Sequence, residues 1–308
     1  MSKIKTFLYL LNNNRRGALY TILQKCNAIF TDSIYLRLLF FLRVGYKLNL
    51  KQPRTYNEKL QWLKLYNRRP EYKKMVDKYE VKEYIKSKIG NEYVIPTYGV
   101  WDNIETIDWD SLPERFVIKT THGGGGCGVV ICRDRSSFNR ENAIKELRRS
   151  LTKDIYKELR EWPYKDMKKR ILAEKLLTER GLDSPRDYKV MCFNGKVKMI
   201  EYHEGRFSNH HTQGFYDREW KKMPINQKSY GEITNEVSEK PALLDEMIGL
   251  SEILAEGIPH VRIDWYMVQN HLFFGEITFF DASGFDEFIP EEYNKIIGNW
   301  ITLPEKTI

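Results

Sequence analysis

Helix-like and strand-like hydrophobic patterns succeed one another along this chain, and no internal repeat is visible. Residues 1–50 read as helical with polar breaks, and Ile34, Leu38, Phe41 and Leu42 form an apolar side expected to pack on the body. Thr55, with Glu58 three residues on, is a capping-box signal, and Leu60, Leu63 and Leu65 carry the following helix toward Tyr66. A second helix fits 78–88, with Gly90 as its stop. Residues 93–95 give a short strand closed by Pro96, and 102–113 read as a loop ending at Pro113.

The pattern then changes. Residues 116–119 and 129–132 read as strands, and the loop between them holds five glycines. A helix is predicted over 139–160, a strand over 171–174 and a polar loop over 178–185. Strands over 187–193 and 196–202 are joined by Asn194-Gly195, a pair suited to the left-handed backbone of a two-residue hairpin turn. Residues 204–240 are polar and read as loop with short strands. A helix fits 241–256, with Pro241 in its first turn and Gly257 at its end. Strands over 261–268 and 272–280 flank Gln269-Asn270, and a short helix and coil close 290–303. The class is α+β with mainly antiparallel sheets.

Composition narrows the class further. The chain is 42% apolar and 30% charged, as globular proteins are, and 308 residues suffice for one large domain or two to three lobes. No run reaches the roughly 18 apolar residues of a membrane span. The apolar run at residues 7–11 is too short for a signal peptide, and four cysteines without metal spacing fit a reducing compartment. A cytoplasmic location is expected. Net charge is +8, and residues 1–55 hold ten Lys/Arg against one acid, Asp32. This segment is either a solvated helical extension packed on the body or a docking surface for anionic lipid or polymer, at the inner face of a membrane. Nucleic acid is not expected, because the rest of the chain is close to neutral and carries no nucleic-acid motif.

Gly123, Gly125 and Gly128 satisfy G-x-G-x-x-G, but a β-branched strand follows rather than a helix, which excludes a dinucleotide fold. Val129 and Val130 stand where a P-loop needs Lys and Ser/Thr. No protein-kinase catalytic motif follows. What remains is a hairpin lid whose backbone N–H groups cover phosphates, glycine allowing the close approach. Lys119, four residues before Gly123, could meet the same phosphates. An ordinary exposed hairpin is the alternative, but four consecutive glycines cost much chain entropy without a need for close approach.

Arg262 and Asp264 share one side of a strand. A hairpin around Gln269-Asn270 brings Asp264 and Glu276 to facing positions. Two such carboxylates would hold Mg²⁺ against nucleotide phosphates, and Arg262 beside them could stabilise developing negative charge. The alternative is a surface salt bridge of Arg262 with one acid.

In order and spacing, these segments resemble the ATP-grasp superfamily. The carriers are Asp77-Lys78, the 116–119 strand with its glycine loop, Ile171-Leu172-Ala173-Glu174-Lys175-Leu176-Leu177, and Arg262-Ile263-Asp264 with Glu276. The TupA-like branch, linked to bacterial cell-surface polysaccharide synthesis, is similar more closely. That likeness lies in the runs at 57–66 (NEKLQWLKLY), 187–195 (DYKVMCFNG) and 274–279 (FGEITF), and in Ala282-Ser283-Gly284. It covers residues 45–304.

The resemblance implies a nucleotide held between two α+β lobes. Residues 1–50 would form a basic helical extension, 51–112 the N-terminal lobe, 113–177 the central lobe with the lid, and 178–308 the C-terminal lobe with the metal site. Lys78 and Lys119 would contact ATP phosphates, and Gly123, Gly124, Gly125 and Gly126 would form the lid. Glu174 with the backbone of Lys175, Leu176 and Leu177 would read adenine, and Asp187 would meet ribose. Asp264 and Glu276 would hold Mg²⁺, and Arg262 would be catalytic. Many relatives carry Asn two residues after the metal glutamate, where this chain has Thr278, which puts a second metal in question.

The implied reaction is ADP-forming amide ligation of an amino acid or peptide donor to a sugar. The acceptor would be a polysaccharide or a nucleotide- or lipid-linked precursor, at a uronic acid carboxylate. Rival readings are a glycosyltransferase using Asp108-Trp109-Asp110, a sugar kinase of the same superfamily, and a non-catalytic scaffold. Tyr202, His203, His210 and His211 could line an acceptor pocket, although histidines in a polar stretch are more often exposed.

Overall fold

The computed structural model describes residues 15–179, 184–205, 212–231 and 236–307. Helices α1 (Arg15–Lys25) and α2 (Asp32–Val44) lead into α3 (Tyr56–Tyr66), α4 (Glu71–Val76) and α5 (Glu80–Ile89). Strands β1 (Thr97–Trp101), β2 (Phe116–Thr120) and β3 (Val129–Cys132) follow, then helices α6 (Arg140–Leu151) and α7 (Ile155–Leu159), then β4 (Ile171–Lys175). These four strands form one antiparallel sheet in the order β1-β4-β2-β3.

Next come β5 (Arg186–Phe193), β6 (Lys196–Glu204), β7 (Thr212–Asp217) and β8 (Asn226–Gln227), helix α8 (Leu244–Leu254), strands β9 (His260–Val268), β10 (His271–Thr278) and β11 (Phe288–Ile289), and helix α9 (Tyr293–Trp300). Five of these strands form a second antiparallel sheet in the order β10-β9-β5-β6-β7, and β8 pairs with β11. The fold is α+β, as the pattern predicts. Among the described residues no helix is long and apolar enough to cross a membrane.

Strand alternation divides the five-stranded sheet into two unlike faces. Tyr188, Val190, Cys192, Ile200, Ile263 and Trp265 are buried on one face. There α8 covers the sheet, and Trp265 Nε1 donates to Ser251 Oγ at 2.9 Å. The opposite face presents Asp187, Lys189, Glu201, His203, Arg262 and Asp264, all buried as well. A buried polar face needs partners, and the rest of the chain folds over it to supply them.

Several boundaries differ from the pattern. The strand expected at 93–95 lies instead at β1, after Pro96. Val94 N–H is taken by Asn91 O in a turn, and Ile95 O accepts from Lys82 Nζ, so neither joins a ladder. The helix expected over 139–160 breaks into α6 and α7, because the Asp154 side chain accepts from Lys157 N–H and caps a new start. Helix α5 begins at Glu80 rather than at residue 78. Asp77 Oδ1 accepts from the N–H groups of Tyr79 and Glu80, which leaves Lys78 in the turn before the helix. The capping box at Thr55 and Glu58 is present as read.

The N-terminal expectation is reversed for three of its four residues, Leu42 alone packing on the core. Ile34, Leu38 and Phe41 are exposed, and Tyr35, Leu36, Leu39 and Phe40 on the other side of α2 are buried. Because α2 is apolar on nearly every side, spacing alone cannot choose the buried stripe. Tertiary contacts choose it: Tyr35 Oη donates to Glu158 O at 2.9 Å, and the Arg160 guanidinium lies 4.1 Å from the Tyr35 ring centroid.

Candidate active site

The β9–β10 hairpin turns through Gln269 (φ 51°) and Asn270 (φ 57°), both left-handed. A regular register from that turn would set Gly275 opposite Asp264 and send Glu276 into the apolar face beside Ile263. The ladder instead slips between Phe274 and Glu276, so that Gly275 is an extra residue and Glu276 lies opposite Asp264. The bulge re-aims one side chain from the core to the polar face. Gly275 suits it, since a Cβ there would lie 3.1 Å from Asp264 O and from the Tyr266 ring.

Arg262 joins three carboxylates. Its Nε and Nη2 reach Asp264 Oδ1 and Oδ2 at 2.7 Å each, a bidentate pair. Nη2 also reaches Glu276 Oε1 at 3.2 Å, and Nη1 donates to Asp281 Oδ1. This buried network replaces the surface pair that the sequence left open. Burial would disfavour the guanidinium charge, but Asp264, Asp281 and Glu276 hold its pKa well above the ordinary value.

Asp281 is fixed in turn. Its Oδ2 accepts from Gln227 Nε2 at 2.5 Å. It opens a turn in which Ala282 (φ 44°), Ser283 (φ 54°) and Gly284 (φ 66°) are all left-handed, an arrangement that needs outside support. Helix α3 supplies it with one polar stripe, Asn57, Gln61 and Lys64, at i, i+4 and i+7. Asn57 Nδ2 donates to Asp286 O at 2.5 Å, and Gln61 Nε2 to Gly284 O at 2.9 Å. Lys64 Nζ donates to Ser283 O and Oγ at 2.8 Å each.

Facing this arrangement, Lys119 on β2 pairs with Glu174 Oε1 on β4, and Lys82 Nζ pairs with Glu174 Oε2 at 3.0 Å. Burial would raise the Glu174 pKa, but Lys119 and Lys82 bring it below the usual range. Lys175 is exposed and its N–H donates to Pro96 O at 2.9 Å, Leu176 is half-buried, and Leu177 is buried. Asp187 Oδ2 accepts from Lys189 Nζ at 3.1 Å. Tyr266 stands among Asp187, Glu276, Asp264 and Glu174, and burial together with those charges pushes its phenol pKa well up. The acids of both sheets therefore converge on one space.

Lys78 ties the glycine loop to the acid pair. Its Nζ donates to Gly123 O at 2.7 Å and lies 2.9 Å from Glu276 Oε2. A Cβ on Gly124, Gly125 or Gly126 would meet nothing within 4 Å, so the middle of the loop faces open space. At its root Gly128 (φ 72°) has no such room, because a Cβ would lie 2.3 Å from Ser150 Oγ. Burial works against the Glu276 charge, but Lys78 and Arg262 hold its pKa down at about 2. Asp264 is pushed up to about 7 by burial and by Glu276 and Asp187, against the pull of Arg262.

The donor set fits a hard cation. Magnesium is commonly held by one or two carboxylates, with the remaining positions taken by water and substrate phosphates. Asp264 and Glu276 offer those carboxylates from adjacent strands. Among the described residues no group of three His, Cys, Asp or Glu side chains could hold a metal ion. Thr278 Oγ1 lies 3.4 Å from Glu276 Oε1, beside the pair.

Two α+β units with antiparallel sheets, facing across a glycine hairpin, lysines and an acid pair, define the class: this is an ATP-grasp fold. The TupA-like ATPgrasp family profile matches residues 58–302, and the chain belongs to that family. D-alanine–D-alanine ligase from Bacillus anthracis complexed with ATP is similar at 15% identity and TM-score 0.39, over 67% of this chain and 53% of that one. The D-alanine–D-alanine ligase of Helicobacter pylori shows 13% identity and TM-score 0.42, over 75% and 61%. A RimK domain ATP-grasp protein from Sphaerobacter thermophilus shows 13% identity and TM-score 0.41, over 77% and 70%. The chain thus spans little more than half the length of the first of these ligases. A search of curated proteins gives no match.

Sequence reasoning missed Asp281, Lys82 and the α3 stripe. The first two had no spacing signal, because each reaches the site through a partner distant in sequence. The stripe carried one in the polar residues Asn57, Gln61 and Lys64, spaced on a face that apolar periodicity assigns to the core. His203 is not exposed but buried, with Nε2 2.7 Å from Glu201 Oε1. His210 and His211 lie outside the described residues, as does most of the expected polar loop at 178–185. Asp108 and Asp110 sit on the surface, where Asp108 Oδ1 accepts from Asp110 and Ser111 N–H and Asp110 pairs with Arg135 and Arg140.

Proposed function

We propose that the protein is an ATP-dependent carboxylate–amine ligase that attaches an amino acid or short peptide to a cell-surface polysaccharide or its precursor, at a uronic acid. The observation that carries this reading is Lys78 Nζ, held between the lid carbonyl Gly123 O and the acid Glu276. One ammonium group thereby links the loop that would cover the phosphates to the carboxylates that would hold their counter-ion.

In this reading the carboxylate oxygen attacks the γ-phosphorus of ATP, the bond to the β-phosphate oxygen breaks, and ADP leaves. The amine then adds to the acyl phosphate, loses a proton, and expels phosphate as the amide forms. Lys119 and Lys78 would bind phosphate oxygens. The glycine lid would exclude water from the acyl phosphate. Arg262, held by Asp264 and Asp281, would stabilise the oxyanion of the tetrahedral intermediate. Asp264 and Glu276 would hold Mg²⁺, which when bound neutralises charge on the transferring phosphates. Glu174 and the backbone of residues 175–177 would meet adenine, and Asp187 the ribose.

Membership of the TupA-like family supports the polysaccharide assignment. The surface pairing of Asp110 with Arg135 and Arg140 weighs against a glycosyltransferase site at 108–110. The test is a screen for ADP release with amino acids and uronic acid sugars, followed by mass spectrometry of the product. An amide adduct supports the reading. A phosphorylated sugar identifies a kinase instead, and UDP-sugar binding without ATP binding favours the glycosyltransferase.

A further inference from the structure

Helices α1 and α2 expose an unusual amount of apolar surface. Ile34, Leu38 and Phe41, at i, i+4 and i+7 on α2, are 50%, 42% and 46% exposed. Leu19 and Ile22 on α1 are 52% and 41% exposed, and Ile29 between the helices is 78% exposed. The stripe is not a helix awaiting burial on its own body. Its opposite side, Tyr35, Leu36, Leu39 and Phe40, is already buried in the main core, and Tyr35 is anchored to Glu158 O. Rolling α2 to hide Ile34 and Phe41 would expose those four.

The same segment is rich in exposed cations: Arg15, Arg16, Lys25, Arg37, Arg43 and Lys47. The one acid before Glu58 is Asp32, and it is engaged by Arg68 at 2.6 Å and Arg160 at 3.1 Å. An exposed apolar stripe rimmed by uncompensated positive charge suits one kind of surface. A second copy of the chain would cover the apolar side chains but set cations against cations. A free anionic polymer would meet the cations and leave the apolar side chains in water. A bilayer with anionic headgroups satisfies both.

We infer that α1 and α2 dock this protein on anionic lipid membranes, with Ile34, Leu38 and Phe41 entering the boundary between headgroups and acyl chains. The inference is independent of the ligase reading, since none of these residues belongs to the candidate active site.

The full chain is floated with phosphatidylcholine vesicles and with vesicles of which roughly a third is phosphatidylglycerol. Binding is expected to the second kind only, and to weaken as salt rises. Each cation near the surface is worth about fivefold in affinity, so Arg15→Gln/Arg16→Gln/Lys25→Gln should weaken binding about 10²-fold. Ile34→Gln/Leu38→Gln/Phe41→Gln should weaken it by more than about tenfold. All six positions are exposed, and circular dichroism with thermal unfolding confirms that each variant folds. Absence of binding to anionic vesicles overturns the inference, and so does binding that both triple variants retain. A concentration-dependent dimer of the parent chain, abolished by the apolar triple, overturns it in favour of a second copy.

Discussion

Lys64 Nζ lies 2.8 Å from both the carbonyl and the hydroxyl oxygen of Ser283, two residues after the carboxylate that holds Arg262. A lysine on the third helix thereby fixes the turn that aims an arginine on β9. Burial lowers the Lys64 pKa to about 7, against the opposing charge of Glu161. Lys64→Met removes the donor to the part-buried Leu159 O and to the buried Ser283 Oγ and O, the last of which keeps Gln61 Nε2 at 3.1 Å. The expected loss is about 3 kcal/mol of stability, read from urea unfolding. An unchanged midpoint would show that the turn needs no such support.

Asp281 contacts Arg262 Nη1 and Gln227 Nε2, so in the proposed ligase reading it would bear on the chemistry through Arg262. Asp281→Asn should therefore lower kcat about tenfold or more while leaving the KM for ATP near its original value. Arg262→Ala should cost on the order of 10²–10³ in kcat and spare ATP binding. Steady-state kinetics of ADP release separates the two parameters, and a change confined to KM would remove both residues from these roles.

The acid pair should govern affinity for the metal–nucleotide complex. Asp264→Asn and Glu276→Gln are each expected to weaken Mg·ATP binding at least about tenfold, with a smaller effect on ATP in EDTA. Titration calorimetry with and without Mg²⁺ provides the comparison. Equal losses in both conditions would point to a structural role.

Two glycines of the lid should answer differently to the same change. Gly128→Ala meets Ser150 and a left-handed backbone, so about 2 kcal/mol of stability should be lost. Gly124→Val meets open space and should leave stability unchanged, but its side chain would hold the loop away from phosphates and lower turnover. Thermal unfolding paired with activity distinguishes strain at the root from obstruction in the middle.

Two buried histidines should make the fold sensitive to mild acid, against the opposite contribution of Asp264, whose raised pKa favours the folded state as pH falls. His260 is buried, and burial holds its pKa at about 3 even though its Nδ1 faces Cys192 O at 3.0 Å. A folded-state value below the unfolded value near 6.5 means that the unfolded chain binds the proton first. Stability is then full above about pH 6.5 and falls as pH drops toward 3, by about 2 kcal/mol at pH 5 from this residue. His122, lowered to about 4 by burial, acts in the same sense. Urea unfolding of the parent and of His260→Asn between pH 7.5 and 5 isolates the histidine's share: the parent should lose about 2 kcal/mol more than the variant over that range, and parallel curves would remove His260 from this role.

Local signals read well because local physics made them. The Thr55–Glu58 box and the Asn194-Gly195 and Gln269-Asn270 turns each depend on neighbours within a few residues, and all are present. The strand–glycine loop–strand unit lies where alternation placed it. Pairing of Asp264 with Glu276 was expected from the hairpin, but the turn alone would have put Gly275 there. The bulge that corrects the register leaves no periodic trace in sequence, beyond a glycine in a strand.

The sequence by itself determined the α+β class, the glycine hairpin and the chemical types at the site, because spacing, turn residues and composition act over short stretches of chain. Tertiary structure decided which apolar stripe of α2 is buried, that Arg262 serves three acids at once, and that Lys78 spans the lid and Glu276. Tyr35 meets Glu158, and Lys78 meets Gly123 and Glu276, across tens to hundreds of residues, and Arg262 gathers Glu276 and Asp281 only through a register slip and a left-handed turn. No local preference can specify such a meeting, since each side chain finds its partner only after the backbone of both has been placed.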